Sequence, residues 1–316
     1  MKNERFQMGL KLILSHILLI LGLLVTSFLF QKNDFSLLLI AQTLLLIIFF
    51  AGYWEFFGLR FKYLFCLAIE FIIISLFLKL FNHLNFIGNS YVFILLSILE
   101  VYLLFEQSKI FLVIFEKDRS GIEINFPFKN GVYLITDGGN SKISRLMNYH
   151  YYSPTHKKRN TNRSMLYATD IIKVGNDFKW LPKENKDYAI FEESVFSPIN
   201  GTVIKVENNI ADNKPYSGNY PYNTGNTVVI QKNKYYFLLG HLKQNSIAVK
   251  EGESVEAGSL IGLAGNSGWT ERPHLHMQLI RSETNDYWKG IGIAINFNGR
   301  NLFKNRLLKI PAGREV

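Results

Sequence analysis

The sequence predicts an α-helical transmembrane region followed by an all-β soluble domain, and three observations predict it. Apolar runs long enough to cross a bilayer are confined to residues 1–116. Beyond Lys117 the runs shorten and are separated by Gly, Asn, Asp and Pro, the punctuation of strands and turns. Charge divides at the same place, with 8 Lys/Arg against 7 Asp/Glu before it and 27 against 18 after it, which gives the overall +10. At 316 residues, 48% hydrophobic and 19% charged, the chain is neither disordered nor a small disulfide-stapled scaffold. Its length suits two domains, an anchor at 1–116 and a β domain at 117–316.

In the first part, residues 12–30 are apolar apart from Ser15, His16 and small residues. At about 1.5 Å per residue such a helix crosses the roughly 30 Å hydrocarbon core. Similar stretches at 37–54 and 63–81, and a fourth at 91–115 interrupted by Glu100 and by the polar patch from Glu106 to Lys109, bring the expectation to four spans. The first lacks a small-x-small cleavage site and is followed at once by further spans, so it reads as retained and not as a secretory signal. Glu70, Lys79 and Glu100 lie in or near the spans. Lys79 can snorkel and a carboxyl can be protonated, so the region reads as a multi-pass anchor in the lipid bilayer and not as a channel.

Lys2, Arg5 and Lys11 precede the first span, which places the N-terminus in the cytoplasm and, with four spans, the second part there too. Either an interfacial fourth segment or an external N-terminus reverses that placement. The single cysteine, Cys66, excludes an intrachain disulfide and a cysteine metal site, so any metal is held by His, Asp or Glu.

In the second part the expected strands are 132–136, 167–174, 201–206, 227–231, 235–239, 260–264 and 275–280, rich in β-branched and aromatic residues. Residues 151–163, with Lys157, Lys158, Arg159 and Arg163, read as a solvated basic loop, and 208–224, rich in Asn, Gly, Tyr and Pro, as a second long loop. On the strand at 275–280, His274 and His276 are two residues apart and project from one face. Two neutral imidazoles with one carboxylate make an ordinary Zn²⁺ set that leaves a position for water. Two satisfied surface histidines are the competing reading of the same pair.

The stretch Gly262, Gly265, Asn266, Ser267, Gly268 ahead of Pro273, His274, Leu275, His276 resembles the C-terminal motif of the LytM/lysostaphin-type metallopeptidases, peptidase family M23. Upstream, Gly240, His241, Leu242, the segment VKEGESVEAG at 249–258, the SP..GTV pattern at Ser197 to Val203, and Tyr167, Ala168, Asp170 fall in the family's order. The resemblance covers roughly 149–297 and implies an M23-like β sandwich with a hybrid-motif hairpin. It further implies that Asp170 and His276 ligate Zn²⁺, that His241 and His274 are the catalytic pair, and that a zinc-activated water attacks a peptide carbonyl. The family's first ligand is a His four residues before the Asp, and that position here is Leu166. His150, in Asn148, Tyr149, His150, is the best substitute, His156 is the second, and no protein ligand at all is the third alternative.

The implied function is a membrane-anchored zinc endopeptidase acting on peptidoglycan peptides in a bacterium, with its C-terminal domain outside the cytoplasmic membrane. The alternative is an inactive relative that binds wall or regulates other hydrolases. SPINGTVIKV and VKEGESVEAGSLIG also resemble lipoyl- and biotin-carrier domains, but no carrier lysine in a Met-Lys-Met setting occurs. The basic balance raises nucleic acid as a partner, and the lack of helix-turn-helix, zinc-finger and RNA-binding patterns argues against it.

Overall fold

The short apolar runs alternate because each strand buries one face, and the protein pairs them into sheets whose shared interior is the core. The computed structural model describes residue 98 and residues 121–140, 148–152, 163–175, 181–218, 220–221 and 223–312. In chain order the described strands are β1 (Ile122–Glu123), β2 (Gly131–Gly138), β3 (Thr169–Lys173), β4 (Ser194–Phe196), β5 (Gly201–Glu207), β6 (Asn226–Lys232), β7 (Tyr235–Leu242), β8 (Ser254–Val255), β9 (Leu260–Leu263), β10 (Leu275–Arg281), β11 (Ile291–Ile293), β12 (Ile295–Phe297), β13 (Arg300–Asn301) and β14 (Leu307–Ile310). Nine of them form one sheet in the order β14-β2-β3-β10-β7-β6-β5-β8, with β11 on β10. A three-stranded sheet, β1-β12-β13, and a two-stranded one, β4-β9, complete the architecture.

One face of the large sheet carries Tyr133, Ile135, Ile171, Val203, Ile230, Phe237, Leu239, Leu275 and Met277 into a single buried cluster. The small sheets add Val195, Ile261 and Ile295 to that cluster, so the core is a layer between sheets. The opposite face holds a smaller apolar cluster of Val229, Tyr236, Leu238 and Ile280. Beside it on the same face lie His276 and Gln278, because alternate residues of β10 point the same way.

The expected fold class, a helical transmembrane region plus a β domain, is corrected to an all-β domain. Among the described residues no helix is long and apolar enough to cross a membrane, and the α-helix there, α1 (Tyr149–Tyr152), has four residues. The physical reason is that the apolar runs of the described chain are a few residues long and are consumed as paired strands, whereas a spanning helix needs about 20. The four expected spans lie outside the described residues except for Ile98, as do Lys157, Lys158, Arg159 and the second ligand candidate, His156.

All seven strands expected in the second part are present, β2, β3, β5, β6, β7, β9 and β10, with ends moved by a few residues. The short strands β1, β4, β8 and β11 to β14 were not expected. They are two to four residues long, too short to show an alternation.

Candidate metal centre

Two strands set the floor of the site. β3 and β10 pair antiparallel with His276 opposite Asp170 and Leu275 opposite Ile171. The second pair enters the core, so the first is driven to the other face. There the Asp170 carboxylate Oδ1 lies 2.9 Å from His276 Nδ1.

His150 reaches the same point from a single helical turn held by two side-chain contacts. Asn148 caps α1 by accepting from the Tyr151 N–H at 2.9 Å, while its own amide donates to the Gly139 and Leu166 carbonyls at 2.8 and 3.3 Å. Asp137 accepts from the Tyr149 N–H at 3.1 Å. That carboxylate faces the site because β2 carries one extra residue between Ile135 and Asp137, a bulge that puts Asp137 opposite Asp170. His150 Nε2 then stands 3.6 Å from Asp170 Oδ2. Leu166 is buried and contributes only its carbonyl to this arrangement.

The three side chains form a candidate metal centre, His150, Asp170 and His276, whose ligating atoms all lie within 4.8 Å of one another. Their chemistry fits zinc: two imidazoles and one carboxylate, with no thiol or crowded oxygen set. His150 supplies the sharper test, because it is buried with Nδ1 3.9 Å from Asp137 Oδ2 and Nε2 turned to Asp170. Zinc is the cofactor of the M23 family, and this His/Asp/His set provides the donors for it.

His241 and His274 flank the trio, with ring centroids 4.7 Å apart and His241 5.6 Å from His276. β7 gains a residue against β6 between Leu239 and Leu242, and His241 sits in that bulge with φ +59°. A positive φ at a buried non-glycine residue is strained backbone kept by its surroundings. Here the surroundings are the Thr224 carbonyl, which accepts from the His241 N–H at 2.8 Å, and the Ser267 carbonyl, which accepts from His241 Nδ1–H at 2.7 Å. His274 is oriented in the same way, since its Nδ1 lies 2.9 Å from the Arg272 carbonyl, an acceptor only. Each histidine therefore carries its proton on Nδ1 and leaves Nε2 as a free base, and His274 Nε2 is 3.6 Å from Asp170 Oδ1.

Burial pushes His241 well below the ordinary histidine pKa, and the neighbouring imidazoles push it further. Burial lowers His274 too, partly offset by Asp170. Burial would raise Asp170, but His150, His274 and His276 outweigh it and hold the carboxyl below the usual range. Burial opposes charge on His276, yet the bond to Asp170 and the contact with Gln278 win and raise it. Burial raises Asp137, opposed by His150 and reinforced by Asp170. The result is a neutral imidazole pair beside an ionised carboxylate.

All five residues singled out in the sequence, Asp170, His276, His150, His241 and His274, thus meet in one place. Asp137 and Gln278 were not singled out, and Asn148 and Ser267 stood only as motif residues without a role. Gln278 carried a readable signal, two residues beyond His276 on one strand face, whereas Asp137 depends on a bulge that no residue pattern announces.

Comparison with known proteins identifies the region. Residues 185–287 match the model of Peptidase family M23. The matched segment includes His241, His274 and His276 and stops short of Asp170 and His150. Two peptidoglycan DD-endopeptidases of Vibrio cholerae serotype O1 are similar to it. ShyA is 36% identical over 100 residues and ShyB 32% over 132, covering 31% and 40% of this chain. The matches span 20% and 28% of those two proteins. Among solved structures, a zinc containing peptidase from Vibrio cholerae is 24% identical with a TM-score of 0.31, over 57% of this chain and 38% of that one.

Proposed function

We propose that this domain is a zinc-dependent endopeptidase that cuts the peptide portion of peptidoglycan on the outer side of the cytoplasmic membrane. The observation that carries the reading is the placement of His241 and His274, each with its Nδ1 proton held by a backbone carbonyl, beside the His150, Asp170 and His276 cluster. The similarity to two DD-endopeptidases supports the substrate class.

His150, Asp170 and His276 would hold the ion, which when bound polarises a carbonyl and acidifies water. The remaining chemistry belongs to the chain. A water attacking a peptide carbonyl must lose a proton, and the departing amine must gain one when the C–N bond breaks. Nε2 of His241 or His274 accepts the first and returns it for the second. The Ser267 and Arg272 carbonyls fix both rings and keep Nδ1 out of the exchange. Asp170 remains ionised throughout.

Incubating the full chain with purified peptidoglycan and assaying newly exposed amino groups tests this reading. Release that stops with a chelator, returns with zinc and is lost in His241→Ala is expected. Wall binding without cleavage by zinc-loaded protein would replace the hydrolase with a binding domain.

A further inference from the structure

We infer that Gln278 is a positioning residue that fixes the tautomer of His276, holding the proton on Nε2 so that Nδ1 is presented to the metal. The inference deepens the zinc reading above and rests on it.

Gln278 follows His276 by two residues on β10 and is fully buried. Its Oε1 lies 3.1 Å from His276 Nε2. A side-chain carbonyl only accepts, so Nε2 must donate. On the other side of the ring, Nδ1 faces Asp170 Oδ1 at 2.9 Å, and Asp170 belongs to the ligand cluster. Nδ1 is thus the nitrogen turned toward the ligand cluster, while the Nε2 proton points away from it into Gln278.

A second observation shows which end of the amide matters. Gln278 Nε2 is buried without a hydrogen-bond partner. Leaving a buried amide donor unsatisfied is destabilising, and an apolar residue would avoid that loss opposite Leu238, its cross-strand neighbour. The side chain thus uses its oxygen and leaves its nitrogen idle, as a partner selected for acceptance alone would. Outer groups that accept from a ligating histidine raise its basicity and fix its ring, and removing one weakens metal binding about 10- to 100-fold.

The test compares zinc affinity by chelator competition for the full chain, Gln278→Met and Gln278→Glu, together with the histidine ¹⁵N–¹H long-range spectrum of the zinc-loaded wild type. The glutamate keeps the acceptor and should bind zinc at least as tightly as wild type, while the methionine should bind about 10- to 100-fold more weakly. The spectrum should show a protonated Nε2 and a metallated Nδ1 on His276. Equal zinc affinity in wild type and Gln278→Met, or metal on Nε2, overturns the role of Gln278 and leaves the zinc site intact. If Gln278→Met fails to fold, weak zinc binding by Gln278→Glu overturns it instead. A wild-type chain that takes no zinc overturns the metal site itself.

Discussion

Asp170 and His276 share one rung of the β3–β10 ladder, and their side chains meet at 2.9 Å on the face away from the core. The contact is a consequence of register: a slip of one residue would send both into the interior and bring Leu275 and Ile171 out. The packing of those two apolar residues therefore specifies the ligand pair. Asp170→Ala should leave His276 buried beside an empty partner position and destabilise the metal-free chain by about 3 kcal/mol. Urea denaturation measures that loss, and elemental analysis should find the variant without zinc.

The His150 turn depends on Asn148, which caps α1 and ties it to the Gly139 and Leu166 carbonyls. Asn148→Ala should cost about 1 kcal/mol of stability and weaken zinc binding, with the β3–β10 pair undisturbed. Thermal melts with and without zinc separate the two effects. Equal zinc affinity in the variant would mean that His150 does not need its cap.

Gly268 has φ +83°, and a Cβ there would run into the Gly225 backbone nitrogen. Gly268→Ala should cost about 1–3 kcal/mol in backbone strain and shift the neighbouring Ser267 carbonyl that holds His241. Cleavage should fall more than zinc content does, since the ligands lie elsewhere. A parallel loss of both would tie this loop to the metal instead.

Acid sensitivity follows from the two flanking histidines. His241 and His274 have folded-state pKa values below about 6.5, the unfolded value, so between those limits the unfolded chain binds more protons. Stability should then rise with pH up to about 6.5, with a slope approaching 1.4 kcal/mol per pH unit for each histidine fully involved. His276 acts in the opposite sense, because its folded pKa is raised and its contribution fades as pH climbs through that value. Denaturation of the metal-free chain at intervals between pH 5 and 8 checks the signs. In His241→Gln the acid slope should be shallower, and an unchanged slope would remove His241 as a source.

Much of the β domain was legible because its longer strands repeat an apolar alternation and its turns are marked by glycine and asparagine. His241, His274 and His276 were legible through short ordered motifs around them. Asp170 needed the order of those motifs, since a lone aspartate at a strand end signals nothing by itself. His150 could be ranked only as one alternative, because it reaches the site from a capped turn far from Asp170 in sequence. Asp137 was hidden in the β2 bulge, and the short strands were hidden because their pairing is decided by long-range partners. The expected transmembrane region rested on residues 1–116, which lie outside the described residues except for Ile98, and the described chain is built from strands.

Anomalous scattering at the zinc edge from crystals of the zinc-loaded chain tests the central claim most directly. One peak per molecule, bounded by His150, Asp170 and His276 with His241 and His274 facing it, is the predicted result. A peak held by other residues, or none at these three side chains, would contradict it.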